Sequence, residues 1–138
     1  MKLKMDELEL PKTEKVKKLT QIMNLIKDNG NLLGVLFAYR DGGLIAENFK
    51  EKINFDNFTS MCASVLESAI SLGRTMGDKK ATKIIAELGT QTIVITECDE
   101  KTFLVFDLNY QSNFNVILEK MEDYKFELIL ILRLSPLV

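Results

Sequence analysis

The run DNFTSMCASVLESAISLGRTMG, residues 56 to 77, decides how the rest of this 138-residue chain is read. Phe58, Cys62, Val65, Ala69, Leu72 and Met76 recur at alternating spacings of four and three. That repeat is helical and predicts one continuous buried stripe. At 3.6 residues per turn the helix has about six turns. A side facing water ought to be charged, yet Glu67 is the one charge between Asp56 and Arg74. Ser60, Ser64, Ser68, Ser71 and Thr75 form a second stripe of short side chains instead. Short side chains let another backbone come close and lose little rotamer entropy on burial. Two readings stand side by side: a serine-rich surface open to solvent, or a face covered by another protein. The second makes the chain a subunit of an assembly.

Outward from this helix the chain reads as strands on both sides. Upstream, Leu32 to Tyr39 is apolar on both faces. Asp41-Gly42 is a two-residue hairpin turn, because both of its positions favour positive φ, and Gly43 to Asn48 is the return strand. Before them, Thr13 to Asp28 predicts a helix capped by Thr13, with Val16, Leu19, Ile22, Met23 and Ile26 on one face. Asn29-Gly30 supplies its left-handed stop. The middle helix itself is expected to start at an Asp56 cap and end at Gly77. Downstream, strands are expected at about Thr82 to Leu88, Thr92 to Cys98 and Thr102 to Leu108. Their turns, Gly89-Thr90 and Asp99-Glu100, are too short for anything but antiparallel hairpins. A last helix, about Ser112 to Asp123, puts Phe114, Ile117, Leu118 and Met121 on one face.

The element order is therefore α-β-β-α-β-β-β-α. Phe103-Leu104-Val105-Phe106 is apolar on both faces, so the sheet must be covered on both sides. The expected fold is an α+β sandwich: a five-stranded antiparallel sheet, the outer helices on one face and the middle helix on the other. Residues 12–125 form the domain, 1–11 a leader and 126–138 an apolar extension. The run FELILILRL, 126 to 134, fits a sixth strand, a helix continuation or a partner-binding tail equally well. Its apolar content predicts burial against protein.

Composition narrows the chemistry. A net charge of −2, without a basic stripe carrying interleaved aromatics, argues against nucleic acid. With no histidine, Ser-His-Asp and Cys-His catalysis and histidine-based zinc sites are excluded. Cys62 and Cys98 sit in apolar contexts and read as small buried hydrophobes of a reducing compartment. Met1 to Leu10 alternates lysines, acids and apolar residues, unlike a secretory signal. No apolar run reaches the roughly 20 residues of a membrane helix, so a cytoplasmic location is expected. Glu97, Asp99 and Glu100 cluster on a turn but lack the spaced ligands of a calcium loop. Gly73-Arg-Thr-Met-Gly77-Asp-Lys79-Lys80 is a near miss for a phosphate loop. Its glycines are one residue too close, and it ends a helix, where the dipole repels phosphate. No catalytic residue, metal or cofactor is expected. Arg74, Lys79 and Lys80 are better read as cations favoured at a helix C-terminus, and as candidates for docking an acidic partner.

The element order, the segment Gly34-Val-Leu-Phe-Ala-Tyr-Arg40-Asp41-Gly42-Gly43-Leu-Ile-Ala46, the small-residue helix ending Leu72-Gly73, and the paired strands Thr92–Thr96 and Phe103–Asp107 go together. As a set they resemble the roadblock/LC7 family from about Thr13 to Tyr124. The resemblance implies a profilin-like architecture and dimers whose sheets join edge to edge, with the middle helices packed across the dimer axis. It also implies a non-catalytic regulator or scaffold for a small Ras-like GTPase, nearest to the prokaryotic GTPase-associated members. The alternative is a structural adaptor of a motor, trafficking or signalling complex. Phe114 and Asn115, at the start of the last helix, and the extension from Phe126 depart from the family pattern. A homodimer is expected, with Ser60, Ser64, Glu67, Ser68, Ser71, Thr75, Ile84 and Ile85 at its interface and Arg74, Lys79 and Lys80 toward a further partner.

Overall fold

A computed structural model describes residues 12–133; the leader at 1–11 and positions 134–138 lie outside the described residues. Three helices and five strands follow in the expected order: α1 (Lys12–Gly30), β1 (Gly34–Tyr39), β2 (Leu44–Phe49), α2 (Phe55–Thr75), β3 (Ile84–Leu88), β4 (Gln91–Glu97), β5 (Thr102–Leu108) and α3 (Phe114–Arg133). The strands form one antiparallel sheet in the order β2-β1-β5-β4-β3.

Register explains the two-sided core. Leu36 lies opposite Val105, and Val35 opposite Phe106, so successive residues feed opposite layers. Val35, Phe37, Leu104 and Phe106 pack with Leu19, Met23 and Ile26 of α1 and with Ile117, Met121, Tyr124 and Leu128 of α3. Leu36, Ala38, Ile93, Phe103 and Val105 pack under Cys62, Ala63 and Leu66 of α2. Full burial of each large side chain is worth about 1.5–3 kcal/mol. Both faces of the sheet are therefore closed, as its doubly apolar strands require.

Several local expectations need correction. Helix α1 runs from Lys12 through Gly30, so Thr13 lies within it, and the left-handed residue at its end is Asn31, with φ +48°, rather than Asn29-Gly30. In the first hairpin Gly42 takes positive φ, +103°, and Asp41 does not. The cap of α2 is Asn54, whose side-chain oxygen accepts from the Asn57 N–H at 3.2 Å. Asp56 instead sits in the first turn, where its charge favours the helix dipole. The stripe expected to be buried is not continuous: Val65, Leu72 and Met76 are 41, 63 and 62% exposed. The line that meets the sheet is Thr59, Cys62, Ala63 and Leu66, with Phe55, Phe58 and Ile70 packed beside it. At about 100° per residue the two lines lie on neighbouring sides of the helix. Thr59 and Ala63 are small enough to bring the backbone close to the sheet, which turns the larger stripe outward. Finally, α3 runs on through Arg133. Leu128 is fully buried, Lys15 Nζ donates to the Leu132 carbonyl at 3.0 Å, and Arg133 pairs with Asp99 at 2.8 Å. Of the three arrangements open for 126–133, the chain takes the helical one.

Candidate interaction surface

The outer side of α2 carries two adjoining lines. Ser60, Ser64, Ser68, Ser71 and Thr75 are all exposed, on the side turned away from Leu66. Beside them run Met61, Val65, Leu72 and Met76, with Met61 at 69% exposure. The apolar arc of α2 is thus far wider than its contact with the sheet. Met61 is absent from the sequence reading, although it stands one helical turn before Val65; Val65, Leu72 and Met76 belong to the stripe expected to be buried. The Thr75 hydroxyl turns back and donates to the Leu72 carbonyl at 2.7 Å.

Glu67 is engaged within its own chain. Arg40, at the end of β1, donates through Nε to Glu67 at 3.0 Å and through Nη1 to Glu97 at 2.8 Å. One guanidinium therefore ties α2 to both hairpin tips at this end of the sheet. A shallow depression of about 440 Å³ lies between this clamp and the serine line. Arg40 was not among the sequence candidates, because its partners stand 27 and 57 residues away.

Arg74, Lys79 and Lys80 are brought together by a close turn. Gly77 and Asp78 take left-handed φ values of +84° and +55°, and the Lys79 N–H donates to the Gly73 carbonyl at 2.8 Å. A Cβ on Gly73 would lie 2.0 Å from the Lys79 oxygen, so the approach needs glycine. The result is a hollow of about 280 Å³ lined by Arg74, Lys79 and Lys80 together with Asp78 and Glu97. Lys80 stands 3.8 Å from Glu97, so the patch is mixed in sign rather than uniformly basic.

Ile84 and Ile85 face opposite sides of β3. Ile84 pairs with Ile95 and packs in the α2 layer, whereas Ile85 pairs with Val94 and is 48% exposed. β3 is an outer strand, its partner in the sheet being β4. It leaves a row of backbone groups for another strand to pair with.

The remaining candidates are accounted for internally. Burial pushes the Cys62 thiol up to about 11. It pushes Cys98 up to about 12, against the pull of Lys125. Both thiols are free and protonated at neutral pH. Burial alone would raise the Asp99 carboxyl. Hydrogen bonds from Thr102, Lys101 and Arg133 outweigh it and hold the group below its usual value. Among the described residues no group of three or more acids or cysteines is arranged to hold a metal ion, and no helix is long and apolar enough to cross a membrane.

By sequence, no protein-family model and no curated protein matches the chain. Solved structures do. MglB of Myxococcus xanthus superposes with a TM-score of 0.76 at 16% identity, over 83% of this chain and 94% of that one. An MglB with a tetrameric arrangement gives 0.79 at 13% identity, over 90 and 93%. A roadblock/LC7 domain from Streptomyces avermitilis gives 0.64 at 12% identity, over 82 and 90%. The chain has the roadblock/LC7 domain fold.

Proposed function

We propose that this roadblock/LC7-fold chain is a cytoplasmic, non-catalytic regulator or scaffold that pairs with a second copy of itself and binds a small Ras-like GTPase. The observation that carries the reading is the outer side of α2. Met61, Val65, Leu72 and Met76 lie exposed beside a line of serines. Apolar area of this kind gains by leaving water, and the small residues let a second helix approach. The open edge of β3 gives a second copy a strand to pair with. The interface in this reading comprises Ser60, Ser64, Ser68, Ser71 and Thr75, the apolar line, and Ile85 at the edge, with Glu67 at the rim beside Arg40. Residues 12–125 carry the pairing, and the end of α3 belongs to the same folded unit.

The GTPase part rests on the roadblock/LC7 resemblance and requires no donated catalytic group. A platform that binds one switch arrangement better than another shifts the GTPase by its differential affinity, and about 1–3 kcal/mol gives a 5- to 150-fold change. Arg74, Lys79 and Lys80 are the proposed docking cations. The test is to titrate the full chain with each Ras-like GTPase of its own organism, loaded with GDP or with a non-hydrolysable GTP analogue. Binding that differs between the two nucleotides supports the reading. Binding indifferent to nucleotide, or none, replaces it with the structural-adaptor reading.

A further inference from the structure

At the end of the sheet where β5 finishes, far from the Arg40 clamp and the basic turn, a cleft of about 620 Å³ has Lys50, Glu51, Gln91, Asp107, Asn109 and Tyr110 among its walls. That volume lies within the range of small-ligand sites. Asp107 is 6% exposed. Its carboxylate accepts from a single group, the Gln91 side-chain amide, whose nitrogen lies 3.2 and 3.1 Å from its two oxygens. An ionised carboxylate has about four acceptor sites, and one amide fills at most two of them. Among the described residues no cation lies within ion-pairing distance of Asp107. Buried carboxylates are ordinarily paired, because an unpaired buried charge is costly. The nearby Glu51 adds to the negative potential, while Lys50 is exposed and can hold its ammonium in water. The Tyr110 residue at the cleft is 87% exposed and has no packing role that explains it.

We propose that this cleft binds a guanidinium group, with Asp107 accepting its paired N–H groups and the Tyr110 ring stacking on its plane. The planar fork suits a carboxylate that has acceptor capacity left on each oxygen, and its flat face suits an aromatic side chain. A point-charge ammonium satisfies the first of these features less well and the second hardly at all. Two sources carry the same chemistry: a small guanidino compound, or an arginine side chain of a protein partner.

The test is a nitrogen-15 NMR titration of the full chain with methylguanidinium, with methylammonium, and with a blocked arginine-containing peptide. Saturable shifts are expected at the Gln91 side-chain amide and the Asn109 backbone amide with both guanidinium probes, and binding of methylammonium at least several-fold weaker. Asp107→Asn is isosteric and is expected to weaken binding at least tenfold. Tyr110→Ala changes a solvent-facing residue and is expected to weaken it several-fold without disturbing the fold. Tenfold tighter binding of the peptide than of methylguanidinium identifies a protein arginine as the source; equal binding identifies a small compound. Absence of saturable shifts with either guanidinium probe overturns the site. So does unchanged binding in both variants, or equal binding of methylammonium.

Discussion

Arg40 holds α2 to the hairpin tips with one guanidinium, and its partner Glu97 is largely shielded from water. Hydrogen bonds to charged, partly buried groups are worth about 1.5–3 kcal/mol each. Arg40→Ala is therefore expected to lower stability in urea unfolding by about 1–3 kcal/mol. Arg40→Lys should recover only part of this, because an ammonium cannot span two carboxylates in the same geometry. Two aspartates set opposite pH slopes. Asp99 is held below the usual value of 3.8. Its contribution is present above that pH and is lost as pH falls through the lower folded value. Asp107 is raised above 3.8, first by burial and also by Glu51, with Gln91 opposing. The folded state then holds the Asp107 proton more tightly than the unfolded state, so stability falls as pH rises through its folded value. Thermal unfolding followed against pH should show this slope in the parent chain and not in Asp107→Asn.

At the scale of elements, the strands were the legible part of the sequence. Asp41-Gly42, Gly89-Thr90 and Asp99-Glu100 punctuate alternating apolar runs, and each becomes a turn between paired strands. The facing of α2 was not legible, because the helix has two apolar lines and spacing alone favours the one with the larger side chains. Thr59 and Ala63 decide the matter, and they do so through close approach to a sheet that a linear reading does not see. The end of α3 was hidden for a similar reason. Phe126 to Leu134 is apolar nearly all round, and Leu128 is singled out by what it meets in space. Leu128→Ala is expected to cost about 2–5 kcal/mol in denaturant unfolding. Arg133→Ala, which removes an exposed ion pair, should cost no more than about 1 kcal/mol. In the turn after α2, Gly73→Ala drives a methyl against the Lys79 carbonyl. It should release the Lys79 N–H from its bond to Gly73, read as faster hydrogen exchange at that amide while the sheet amides stay protected. The Asp107 cleft left no trace in sequence spacing either, since Gln91 reaches it from 16 residues away.

For the whole molecule, the folded chain closes both faces of its sheet and still leaves one side of α2 and the outer edge of β3 uncovered. In the pairing proposed above, a second copy would cover both at once through a two-fold contact, in which the same surface serves on each side. Each apolar side chain buried there contributes about 1.5–3 kcal/mol, so Leu72 and Met76 together can carry a large share of the association. Both are exposed in the single chain, and replacing them does not open its core. Ser64→Arg adds a long charged side chain to the neighbouring line and should weaken pairing through the serine face. The measurement that bears most directly on this is the molar mass in solution, by light scattering at micromolar concentration, of the parent chain and of the Leu72→Glu, Met76→Glu double variant. The parent should scatter at twice the 15.7 kDa of one chain, and the double variant, still folded, at 15.7 kDa. A monomeric parent, or a double variant that stays paired, would contradict the assembly through α2.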